Sequence, residues 1–131
     1  MRPEERDPAH LWDMIEAARA IVDFTKNLTL EEFLAAGRDM EIIRLAVERE
    51  LEILGEAARR VSSRFRNEHA EIPWKETVGL RNVISHEYDR VNYTEIYRIV
   101  RERIPELITL LEPLVPPPPR MDETRKNLSL H

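Results

Sequence analysis

The chain has 131 residues, 42% hydrophobic and 34% charged, with a net charge of -5 and no cysteine. That length suits one domain with a real core, and the lack of cysteine excludes disulfides and thiol chemistry, as fits the cytoplasm. The negative balance argues against general coating of nucleic acid but is compatible with a small positive cleft. No apolar run nears the roughly 18 residues that a membrane span needs, and MRPEERDPAH lacks signal-peptide character, so a cytoplasmic protein without membrane association is expected.

Asp7-Pro8 reads as an N-cap and first helical position, because proline lacks a donor that this position leaves unpaired anyway. Leu11, Met14, Ile15, Ala18, Ile21 and Val22 recur at helical spacing and carry that helix to about Leu28. Thr29-Leu-Glu-Glu32 has the form of a capping box and opens a short helix, which Gly37 is expected to close. Asp39 then caps a long helix running to about Arg66, with Ile43, Val47, Leu51, Leu54, Ala58, Val61 and Phe65 along one stripe. Ile42, Ala46, Ile53 and Ala57 form a second apolar line. A helix apolar on two sides needs two surfaces to bury against, its own bundle and a second protomer.

Pro73 and Trp74 start the next helix, which is expected to end near Tyr88. Asn92-Tyr-Thr-Glu95 is a variant capping box for the last helix, with Ile96, Ile99, Val100, Ile104, Leu107, Ile108 and Leu111 turned inward and a kink at Pro105. VPPPPR, at 115 to 120, ends the fold in a polyproline-like stretch, and MDETRKNLSLH after it reads as disordered. The expected fold is therefore all-α. It is an up-and-down bundle of four principal helices plus a short one over residues 1–114, followed by a flexible proline-rich tail over 115–131.

The stretch RNVISHEYDR, residues 81 to 90, holds an arginine, an asparagine, a tyrosine and one of the chain's four histidines. At about 100° per residue, Asn82 and His86 share a helical face with Lys75 and Gly79, while Arg81, Ser85 and Tyr88 take another. Arg81 and His86 then lie about 140° apart on a regular helix. They reach one ligand only if the helix loosens, the arginine wraps round, or two surfaces meet. From spacing alone, these residues suit a solvated helix end as readily as a chemical site.

Arg81-Asn82-x-x-x-His86-x-Tyr88 resembles the Arg-x4-His-x-Tyr signature of the HepT-like toxins within the HEPN superfamily. The resemblance covers roughly residues 8 to 112 and includes Phe33, Arg38-Asp39, Ala46-Val47, Gly55-Glu56-Ala57, the IPW of 72 to 74 and the VNYTEIYRIV helix start. It implies a metal-independent endoribonuclease, the toxin of a type VII-like toxin–antitoxin system. It also implies a minimal nucleotidyltransferase antitoxin (MntA-like) that attaches AMP to the motif tyrosine, here Tyr88. The alternative is a non-catalytic HEPN dimer that binds protein or RNA, but such domains typically lose the motif arginine or histidine, and both are present here.

The chemistry fits the residues. RNA, whether mRNA or tRNA, carries its own 2′-hydroxyl nucleophile, so the protein needs proton transfer and stabilisation of a charged phosphorane. Histidine is the side chain whose unperturbed pKa lies closest to neutrality, so His86 suits the role of base or acid; Arg81 offers a permanent fork of donors, and Asn82 is placed to support either. One histidine cannot easily serve as both acid and base, so a homodimer that brings two copies to one cleft is expected. Arg59, Arg60, Arg64 and Arg66 offer either a favourable helix terminus or an RNA-contacting patch. Glu56 suits a structural pairing with Arg81 or another arginine. His10, His69 and His131 lack metal-ligand spacing, and there is no glycine-rich phosphate loop. Neither metal nor cofactor is expected.

Overall fold

The computed structural model describes residues 2–84 and 91–117, and every regular element among them is helical. The fold is all-α. A 3-10 turn (Pro3–Arg6) leads into α1 (Asp7–Thr25), followed by α2 (Leu30–Phe33), α3 (Arg38–Arg60) and α4 (Ser63–Glu68). Then come α5 (Trp74–Val78), α6 (Leu80–Ile84), α7 (Tyr93–Glu102) and α8 (Ile104–Leu111), with a closing 3-10 turn at Glu112–Leu114. The tail beyond residue 117 lies outside the described residues.

Helix α3 is the axis. It packs lengthwise on α1, while α5 and α6 cross it and α8 lies along α1. Val47, Leu51, Leu54 and Ala58 of the expected stripe are fully buried against Met14, Ala18 and Ile21 of α1 and against Ile96 and Ile104 from the C-terminal pair. Each large aliphatic side chain removed from water in this way contributes roughly 1.5–3 kcal/mol. None of the described helices is long and apolar enough to cross a membrane.

Three of the principal helices expected from periodicity are each divided in two. The long helix does not run to Arg66. It stops at Arg60, and Val61 and Ser62 are extended before α4 begins. Ser62 caps α4 by accepting the Phe65 N–H at 3.2 Å. The bend is held by Asp7, which does not cap its own helix. It is the first residue of α1 and almost fully buried, and its carboxylate accepts the Ser62 N–H at 2.8 Å and the Ser62 hydroxyl at 2.7 Å. Burying a carboxylate is costly unless its oxygens are satisfied, and two donors meet that condition here.

Helix α1 ends at Thr25 rather than Leu28, and the chain turns through Asn27 at φ 64°. Arg101 of α7 explains the stop. Its guanidinium donates to the Thr25 carbonyl at 3.0 Å and to that of Leu28, while the Tyr97 hydroxyl donates to Leu28 at 2.6 Å. A distant side chain thus satisfies carbonyls that a helix end leaves open.

The capping box of α2 forms in both directions, with Glu32 N–H to the Thr29 hydroxyl at 3.1 Å and Thr29 N–H to the Glu32 carboxylate at 2.9 Å. Gly37 does not close α2, which ends at Phe33. Instead it takes the N-cap position of α3 at φ 124°, a conformation that strongly favours glycine, so the start assigned to Asp39 moves two residues earlier. Asn92 caps α7 as expected, accepting the Glu95 N–H at 3.0 Å. The kink at Pro105 becomes a full division at Arg103, with the proline in the first turn of α8 where its missing donor does no harm.

Candidate active site

The third division lies in the helix that carries the motif. It breaks at Gly79, whose N–H reaches back to Lys75 and Thr77. Glycine is a poor helix former, and the Asn82 N–H then bonds the Gly79 carbonyl at 2.9 Å, a tighter turn than an α-helix makes. The regular wheel over residues 75 to 88 therefore does not hold. Arg81 and Asn82, placed on different faces by that wheel, both line one open groove of about 1080 Å³ between α1, α3 and the α5–α6 pair.

Gly55 and Glu56 of α3 form the seat for Arg81. A Cβ on residue 55 would stand 3.0 Å from Arg81 Cγ, 3.3 Å from the Val78 carbonyl oxygen and 3.4 Å from that of Thr77. Only a bare backbone lets α5 and the arginine stem approach α3 this closely. One residue on, Glu56 accepts a hydrogen bond from Arg81 at 3.0 Å. The same carboxylate takes two bonds from Arg59 at 2.6 and 3.1 Å and one from Arg60 at 3.0 Å. Hydrogen bonds from Arg59 and then Arg60 hold its pKa down, from the ordinary 4.5 to about 2. The pairing of Glu56 with Arg81 expected from sequence is thus present, at the groove wall rather than in the core.

Arg81 spends one terminal nitrogen on Glu56, and its side chain is half exposed. A guanidinium has five N–H donors, and among the described residues Glu56 is the one carboxylate that Arg81 meets, so the rest of the fork can serve an anion in the groove. Arg60, Lys75 and Arg49 line the same space, as do Asp13 and Glu52. The groove is a mixed field with a positive floor at Arg81.

The four arginines of residues 59–66 separate. Arg60 faces the groove, and Arg59 shares its carboxylate partner. Arg64 pairs with Glu68 at 3.2 Å and faces a hollow beside the start of α1. Arg66 faces a different hollow, beside α5. The bend at Ser62 parts them, so they are not one patch. His86 and Tyr88 lie outside the described residues.

One lining residue had no signal in the sequence. His10, set aside for want of metal-ligand spacing, lies on α1 and lines the groove that holds Arg81 and Asn82. Seventy residues of chain separate it from the motif, so only helix packing brings it there.

The all-α fold agrees with the HEPN-type fold that the resemblance implies. The family model described as "Ribonuclease HepT-like" matches residues 14–114. The chain is 40% identical over 99 residues to "Putative RNase MJ1380" of Methanocaldococcus jannaschii, covering 76% of this chain and 87% of that protein. It is 34% identical over 113 residues to "Putative RNase MJ0127" of the same organism, covering 86% and 90%. Against "Probable ribonuclease HepT" of Thermococcus cleftensis it is 36% identical over 98 residues, covering 75% and 86%. No solved structure gives a significant match. The chain belongs to the HepT-like ribonuclease family.

Proposed function

We propose that this protein is the toxin of a toxin–antitoxin pair, cutting mRNA or tRNA endonucleolytically without a metal. The observation that carries the reading is the seating of Arg81 on Glu56, with Asn82 beside it, at an open groove. In this reading the RNA phosphate lies against Arg81, whose fixed charge stabilises the extra negative charge of the phosphorane. His86 takes the proton from the 2′-hydroxyl or returns one to the 5′-oxygen that leaves. Glu56 keeps the guanidinium from swinging out of the groove, so the positive charge is in place before substrate arrives.

The second proton-transfer group comes from a second copy of His86 across a homodimer. Support lies on α3, where Ile42 and Leu45 are each 55% exposed. Their stripe continues through Ala46 to Arg49 and Ile53, which line the groove. A copy covering those apolar groups would sit at the groove mouth, and an isologous contact would bring two motifs to one cleft. Neutralisation follows from Tyr88, two residues beyond His86. AMP placed there by a nucleotidyltransferase antitoxin adds bulk and negative charge where an anionic substrate must enter.

The test is cleavage of RNA in EDTA. Wild type cuts, while His86→Ala and Arg81→Ala lose at least about 100-fold with helical content unchanged. Full activity in the His86 variant would refute the assignment. Tyr88→Phe keeps cleavage and escapes AMP transfer, read by mass spectrometry with the partner nucleotidyltransferase. AMP found on another residue would overturn that role.

A further inference from the structure

Of the four arginines at the α3–α4 bend, three are held by carboxylates: Arg59 and Arg60 by Glu56, and Arg64 by Glu68. Arg66 is the exception. Among the described residues it has no acidic partner, and its Nε is buried without an acceptor. A buried donor on a permanent cation carries a desolvation cost that nothing among the described residues offsets. Its hollow measures about 640 Å³ and is lined by Ser63, Asn67 and Lys75. These bring a hydroxyl, an amide and an ammonium group, and none of the residues lining the hollow is acidic. Lys75 also lacks an acidic partner among the described residues. It lines this hollow and the Arg81 groove alike, as does Val78. The two depressions are thus neighbours across one lysine.

We propose that Arg66 and Lys75 form a second phosphate site, which holds the RNA backbone where it leaves the catalytic groove. This rests on the nuclease reading and deepens it. The ligand is a phosphodiester oxygen of single-stranded RNA, read for charge and not for base. Arg66 supplies a guanidinium with no acidic partner among the described residues, Lys75 a mobile ammonium between the two phosphates, and Asn67 and Ser63 neutral donors in the lining. The site gives binding and length preference rather than chemistry. A substrate too short to reach it gains nothing from it.

The experiment uses the full chain, an uncleavable 2′-O-methyl RNA 12-mer for binding across a salt series, and cleavable RNAs of two and twelve nucleotides for kinetics. Arg66→Gln and Lys75→Gln are compared with Arg64→Gln, which removes the same charge from an arginine already paired. Each of the first two should lower the slope of log affinity against log salt by about 0.7, the loss of one phosphate contact on a single strand. Each should weaken 12-mer binding several-fold and raise KM for the 12-mer, and Arg66→Gln, which lies outside the catalytic groove, should leave dinucleotide cleavage within about twofold, while Arg64→Gln changes none of these. Wild-type slopes in both variants would overturn the proposal. So would an equal slope change in Arg64→Gln, equal losses on both substrates in Arg66→Gln, or no binding of the 12-mer by wild type. If Arg66→Gln unfolds by circular dichroism, Arg66→Lys decides: it keeps the charge and should keep the slope, and a lost slope in that folded variant overturns the site. Binding of uncleavable RNA is independent of catalysis. Loss of the nuclease reading would show separately, as cleavage that survives His86→Ala.

Discussion

Replacing Gly55 with alanine puts a methyl carbon 3.0 Å from Arg81 Cγ and 3.3 Å from the Val78 carbonyl oxygen. Two effects oppose each other. Alanine in a helix interior gains about 1 kcal/mol over glycine, while forcing an extra carbon into a packed contact costs about 1–3 kcal/mol. The net change in stability is then a loss of roughly 0–2 kcal/mol, within what a domain with 5–15 kcal/mol in hand survives. Activity should fall as well. To relieve the contact, α5 or the Arg81 stem gives by a few tenths of an ångström, a fraction of the roughly 1 Å misplacement that costs on the order of 100-fold in rate. The expected result is a folded Gly55→Ala protein whose RNA cleavage falls by roughly three- to tenfold. Urea denaturation and single-turnover cleavage measure the two quantities on one preparation. A variant as active as wild type would refute the claim that bare backbone at 55 positions the Arg81 guanidinium for cleavage.

Three further outcomes follow from the same geometry. Asp7→Ala leaves the Ser62 N–H buried without its partner, so stability should fall by roughly 2–3 kcal/mol, about 10 °C in Tm; a shift under about 2 °C would show that the bend holds without this carboxylate. Glu56 has its pKa depressed to about 2 when folded, so its contribution to stability is complete above the unfolded value of about 4.5 and is lost as pH falls towards the folded one. The stability difference between wild type and Glu56→Gln should therefore be constant near neutrality and shrink between about pH 4.5 and 2. A difference unchanged across that window would contradict the arginine-held carboxylate. If the second imidazole comes from a second copy, as proposed, His10→Ala should cut RNA within about tenfold of wild type. A loss of the 100-fold or more that a general acid or base supplies would instead place both proton transfers within one protomer.

Much of the fold was legible because its signals are local. The capping box at Thr29–Glu32 and the Asn92 cap depend on bonds three residues long, so any sequence that carries them displays them. The buried stripe Val47–Leu51–Leu54–Ala58 was legible for a similar reason, since helical spacing alone decides which side chains share a face. Periodicity fails where a helix bends without changing the side it buries. Val61 and Phe65 both pack on the core although the long helix has stopped at Arg60, ahead of both, so the apolar pattern runs on through the break.

What the chain by itself determined was its class: an all-α bundle, the helix that bears Arg81 and Asn82, and the family those residues announce. What only tertiary structure decided was who stands beside whom. Asp7 meets Ser62 across 55 positions, Glu56 meets Arg81 across 25, and His10 enters a groove built from helices far along the chain. The physical reason is the range of the forces. Backbone hydrogen bonding and side-chain spacing act within a few residues and leave their mark in local order. The partner of a buried carboxylate or a half-buried guanidinium is chosen by packing, once close approach at positions such as Gly55 has set how the helices cross.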